Sequence, residues 1–185
     1  MAGKDSTDGD LPAEAQISQW IEQCVIDLSL CPFAAVPYRA GRVRIVVCES
    51  TSEADFLAQI ERELISLVDD PAAETTLIAA KYTLAEFLDF NDFLAAVEGL
   101  LQIDDREADF QMASFHPQYR FAGTGDSDTG NYTNRSPFPV VQWLRTESVA
   151  KAAAATDTLA IPDANIKKLN AMGSAACRAR FPWVK

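Results

Sequence analysis

The chain is poor in the groups that usually announce a function. It has one histidine, His116, in 185 residues, and no CxxC pair among its four cysteines. The common zinc and thioredoxin-like spacings are therefore missing. It has no Walker-type lysine, and Gly123-Thr-Gly125 is too short and too badly placed to be a dinucleotide fingerprint. No stretch approaches the roughly 20 apolar residues that cross a bilayer. The opening residues, MAGKDSTDGDLP, are polar and acidic, the opposite of a secretory signal or a transit peptide. Basic residues are outnumbered, with 16 Lys and Arg against 27 Asp and Glu, for a formal net charge of -11. Such acidity repels phosphate backbones and anionic lipid at long range, so neither nucleic acid nor a membrane is expected as a partner. A local arginine cluster can still hold a small anion. The expected setting is cytoplasmic, with Cys24, Cys31, Cys48 and Cys177 as reduced thiols.

What is present is the composition of a soluble globular domain, 48% hydrophobic and 23% charged. Residues 1–12 read as a disordered leader, residues 13–173 as one α/β domain, and residues 174–185 as a basic, aromatic tail without clear periodicity. Ile17, Trp20, Ile21, Cys24, Val25 and Leu28 fall at helical spacing between Ala13 and Leu30, and Pro32 ends that helix. Arg42–Cys48 is a strand by its β-branched residues, with Arg42 and Arg44 on a polar face. Thr51 or Ser52 caps a second helix, whose apolar face runs Phe56, Leu57, Ile60, Leu64, Leu67 and Val68 before Pro71. Thr75–Ala80 is a short buried strand, Leu84–Gln102 an amphipathic helix and Phe110–Phe115 a third strand. Val140–Ala155 is expected to be helical, as is Pro162–Met172, which stops at Gly173. Strands alternating with helices call for right-handed crossovers and a small, mostly parallel sheet of three strands or slightly more, flanked by helices.

The segment from Phe115 to Pro139 stands apart. It is short of aliphatic residues and concentrates His116, Tyr119, Arg120, Asp126, Asp128, Asn131, Asn134 and Arg135. A long polar loop in a compact domain is a binding loop or disordered, and the aromatic and proline residues at both ends argue against disorder. It leaves the carboxyl end of the third strand, the edge where open α/β sheets take ligands.

The candidate groups each carry a functional and a structural alternative. Cys31 sits at a helix C-terminus, where the dipole raises a thiol pKa, so as a nucleophile it needs a cation such as His116 beside it. Otherwise it is a small apolar residue at a helix end. His116 is a general acid or base if an acceptor such as Asp126 or Asp128 orients it, or else a hydrogen-bonded structural residue. Asp126-Ser-Asp128-Thr-Gly130 fails as a calcium loop, a phosphatase nucleophile and an aspartic protease motif, which leaves turn chemistry. Asn131, Asn134, Arg135 and Arg145 form a candidate anion-binding set, with Ser136 near the cap of the helix from Val140. Alternatively Arg135 pairs with Asp126 or Asp128 and pins the loop.

CPFA at Cys31, FLDFNDFL at Phe87, FQMASFHPQYRFAG at Phe110, NYTNRSPFP at Asn131 and IPDANIKKLNAMG at Ile161 occur in this order. Together they resemble the bacterial family called domain of unknown function 1415, from about Ala13 to Gly173. The resemblance brings no activity or cofactor with it, but it implies site roles for Cys31, His116, Tyr119, Asn131, Asn134 and Arg135. Where the family pattern has His-Leu-Leu-Arg after the proline pair, this chain reads Gln142-Trp143-Leu144-Arg145. That departure counts against a two-histidine metal site.

Three functions are compatible with these residues. The first is an enzyme acting on a small phosphate- or carboxylate-bearing substrate, with Cys31 and His116 as catalytic pair and Tyr119, Asn131, Asn134, Arg135 and Arg145 as binding groups. The second is a module that binds a small ligand or peptide in the same crevice without chemistry. The third is a metal protein using Cys31, His116 and one aspartate.

Overall fold

The structure is a computed structural model that describes residues 11–154 and 160–184; the leader expected over residues 1–12 lies almost wholly outside them. Its centre is a four-stranded sheet in the order β1-β2-β4-β3, made of β1 Val43–Cys48, β2 Thr75–Ala80, β3 Phe110–Phe115 and β4 Val140–Arg145. β1 and β2 pair in parallel, whereas β4 is antiparallel to both β2 and β3. The expected mostly parallel, three-stranded sheet is thus corrected to a mixed sheet of four. β1, β2 and β3 do share one direction; β4 enters between β2 and β3 in reverse. The segment VVQWLR, expected to open a helix, is that fourth strand. Val140 faces one core cluster while Val141 and Trp143 face the other, which is the two-residue period of a strand buried on both sides. The helix begins only at Thr146, as α5 Thr146–Ala153.

Helices cover both faces. On one face lie α3 Glu53–Asp69 and α4 Phe87–Gln102, burying Phe56, Ile60, Leu64, Leu67, Phe90 and Val97 against Ile78, Ala80, Val141 and Trp143. Ser52 caps α3 as expected, its side chain accepting the Asp55 N–H. The helix expected from Leu84 starts three residues later, because Leu84 takes a left-handed φ of 57°. On the other face lie α1 Ala13–Trp20, which widens into a π-turn over Ile21–Ile26, and α6 Ile161–Arg180. They bury Ile17, Trp20, Ile21, Cys24 and Leu169 against Leu77, Ala79 and Val140. A five-residue helix, α2 Ala35–Arg39, leads into β1.

The tail belongs to this second face. The backbone breaks from helical geometry at Gly173, with φ 77° and ψ 161°, as the glycine stop anticipated, but then resumes to Arg180. Cys177 and Phe181 beyond the break are fully buried. Arg180 fastens the end, its Nε donating to the Gln23 carbonyl at 2.8 Å and its Nη2 pairing with Asp27 at 2.8 Å. Among the described residues no helix is long and apolar enough to cross a membrane.

Candidate functional site

The 24 residues between β3 and β4 form a hydrogen-bonded loop whose polar side chains mostly bind backbone groups. Asn131 is buried; its Oδ1 accepts from Phe121 N–H and the Thr124 hydroxyl, and its Nδ2 donates to Gly125 O. Asp128 Oδ1 accepts from Gly130 N–H at 2.8 Å, the turn chemistry expected of the Asp-Ser-Asp stretch. Thr129 donates to Asn170 and so ties the loop to α6. Gly130 makes that approach possible, since a Cβ there would stand 3.1 Å from Asp128 Oδ1 and 3.3 Å from Ile166. Asn134 Nδ2 donates to Ser114 O, at the end of β3. Ser136, expected near a helix cap, instead donates to Phe138 O, because the chain continues into a strand. Asn131 therefore builds the loop with both ends of its amide, and Asn134 ties the loop to β3.

His116 is fully buried on the α4 face, with ring centroids 5.2 Å from Phe90 and 5.5 Å from Phe87. Its Nε2 lies 3.0 Å from the Leu84 carbonyl, and its Nδ1 is 3.0 Å from Gln118 N–H. A carbonyl can only accept and a backbone N–H can only donate, so the ring is neutral with its proton on Nε2. Burial lowers its pKa, opposed in part by the bond to Leu84. Both nitrogens are committed to backbone groups.

Cys31 lies elsewhere. It follows Leu30, which packs in the cluster of α1 and α6 and whose carbonyl accepts from buried Asn165. His116 packs against α4, while Leu30 packs in the cluster of the opposite face, and neither ring nitrogen bonds the Cys31 thiol. Burial raises the Cys31 pKa, and the Phe33 and Ala34 N–H groups only partly offset it. Among the described residues no three His, Cys, Asp or Glu side chains are grouped to hold a metal ion.

Arg145 is also separated from the expected set. It pairs in register with Phe110 at the start of β3, whereas the loop leaves from Phe115, roughly 16 Å further along at about 3.3 Å per residue. There it donates to the carbonyls of Leu67, Ala73 and Asp70, closing the C-terminal end of α3. Tyr119 packs between Phe87 and Phe121, tilted to the first ring and edge-on to the second, and its carbonyl accepts from Arg135.

Arg135 remains, and it is unusual. Its side chain is buried to 6% exposure, with Nε donating to Tyr119 O at 3.3 Å, Nη2 to Asp126 O at 2.8 Å, and the guanidinium 4.5 Å over the Tyr132 ring. The expected pairing with Asp126 or Asp128 is not formed: the Asp126 carboxylate binds Arg120 at 2.8 Å, and Asp128 binds Gly130. Among the described residues Arg135 has no carboxylate within ion-pair distance, and its Nη1 makes no hydrogen bond.

Beside Arg135 opens a cleft of about 760 Å³. One wall is the start of α4, Glu86 to Asp89; the floor is the loop, from Pro117 to Arg135; the third side is Ser174, Arg178 and Val184. Arg178 is exposed and unpaired among the described residues. Both it and Arg135 line the cleft, and both guanidiniums pull down the Cys177 pKa, which burial raises overall. Arg178, Glu86 and Asp89 were not anticipated as site residues. The basic composition of the tail was the one signal for Arg178; its position depends on the turn at Gly173.

No curated protein and no solved structure matches the chain. A family model described as protein of unknown function matches residues 12–179 and takes in every residue of the cleft except Val184. With the loop, the cleft and all but its last lining residue inside that match, the chain belongs to the protein family DUF1415.

Proposed function

We propose that the protein binds a small molecule through a phosphate or carboxylate group, in the cleft between the polar loop, α4 and the C-terminal segment. One observation carries this reading: a nearly buried guanidinium, Arg135, borders the cleft without a counter-ion among the described residues. Taking a cation out of water costs several kcal/mol, which carbonyls and an aromatic face repay only in part. An anion in the cleft completes the balance, and Arg178 adds a second fork on the same side. The reading is one of binding. Catalysis by Cys31 and His116 lacks support, because the thiol pKa is raised and both ring nitrogens are committed to backbone groups. Four free cysteines, three of them buried, are in keeping with a reducing, cytoplasmic setting.

Titration of the ¹⁵N-labelled protein with inorganic phosphate and, separately, succinate tests the reading. The Nε–Hε signals of Arg135 and Arg178 and the amides of residues 117–135 are expected to move together. Arg178→Gln is expected to weaken the stronger anion about tenfold, one charge-assisted contact, with stability within about 0.5 kcal/mol of the parent. Shifts that avoid these residues, or persist unchanged in the variant, would rule the site out.

A further inference from the structure

Apart from Arg120 and Asp126, which pair with each other on the loop, the cleft carries opposite charges that do not neutralise each other. Arg135, over the Tyr132 ring, and Arg178, on α6, belong to the face of the sheet that holds Tyr132 and Cys177, while Glu86 and Asp89 stand at the start of α4, which covers the other face. Among the described residues neither carboxylate has an ion pair, and no ion pair crosses the cleft. A ligand that is only anionic gains at the arginines and is repelled at α4. A ligand bearing a cation at its far end gains at both. The lining also includes apolar side chains: Phe87, Leu88, which is 63% exposed, and Val184. A long apolar side chain left in water at the mouth of a polar cleft is suited to contact with a ligand's hydrocarbon part. The volume of about 760 Å³ falls in the range that encloses drug-sized molecules, the scale of a tripeptide and well above an inorganic anion.

Resting on the reading of the cleft as an anion site, we propose that its ligand is a short peptide with free termini. The terminal carboxylate binds at Arg135 and Arg178, the ammonium lies against Glu86 and Asp89, and an apolar side chain covers Leu88. Arginine matches a carboxylate in two parallel hydrogen bonds, and an ammonium offers three donors to two carboxylates. The residues between the termini set the span.

The test uses the full chain and four forms of one tripeptide, Ala-Leu-Ala: free, N-acetylated, C-amidated and blocked at both ends, compared by calorimetry. Blocking either end is expected to weaken binding about tenfold, the size of one charge-assisted contact. In the double variant Glu86→Gln, Asp89→Asn the acetylation effect is expected to vanish while the amidation effect stays. In Arg178→Gln the amidation effect is expected to shrink while acetylation still matters. If amidation weakens binding and acetylation does not, the ammonium site is overturned and the anion site stands. If no form binds while phosphate or succinate does, the peptide is overturned and the anion site again stands. If nothing binds, both fall.

Discussion

Phe181→Ala is expected to destabilise the protein by about 3–5 kcal/mol, the range for deleting a fully buried aromatic ring. Phe181 has no exposed surface and meets Tyr132 edge-on at 5.0 Å and Trp183 at 5.8 Å. Tyr132 carries the Arg135 guanidinium on its face and lines the cleft, so the ring of Phe181 supports the site from behind. A domain of ordinary stability holds only about 5–15 kcal/mol in total. The loss is therefore a large share, readable as a lower urea midpoint at unchanged slope. A change under about 1 kcal/mol would mean that the segment after Gly173 does not seat as described. The same variant is expected to weaken anion binding, since Arg178 lies three residues before Phe181 on the segment that the ring anchors.

His116→Ala is expected to cost about 3 kcal/mol, because three losses coincide. The ring's contacts with Phe87 and Phe90 are replaced by a void, and the Leu84 carbonyl and Gln118 N–H each lose their partner. The pH dependence separates this role from catalysis. Burial lowers the folded pKa of His116 below its ordinary 6.5, so the unfolded chain binds more protons in the window between the two values. The stability that neutral His116 contributes is complete above about pH 6.5. It declines as pH falls toward the lower folded value, then levels off. Subtracting the variant's stability from the parent's at each pH removes the carboxylates, which titrate in both. A difference that is constant, or grows toward acid, would contradict a buried neutral ring. An unchanged stability at pH 7.5 would restore His116 as a candidate base.

Much of the fold follows from local pattern. The apolar spacing of Phe56, Ile60, Leu64 and Leu67 marks α3, with Ser52 as its cap, and the β-branched run from Val43 marks β1. The misreading of VVQWLR has a physical origin. Six apolar-rich residues fit a buried strand and a helix start equally, because burial on both faces erases the alternation that identifies a strand. Its neighbours decide the matter: β2 offers its free edge to Val140–Leu144, and β3 closes on the other side. That choice moved Arg145 to the far end of the sheet and removed the helix that Ser136 was expected to cap.

The amino-acid pattern marked the polar loop that lines the cleft, with Arg135 in it. A polar, aromatic-flanked loop after an apolar strand is a local signal, and Arg135 lies within it. Tertiary structure alone decided which side chains face the cleft. Asn131 turned inward to satisfy the loop's own backbone, since buried amides without partners are costly, and Asn134 bonds the end of β3. Glu86 and Asp89 reached the cleft because α4 starts there, and Arg178 because the chain turns at Gly173. These groups are separated by more than forty residues from Arg135 on either side, and no local periodicity relates them. Their meeting follows from how two helix layers close over the end of one sheet.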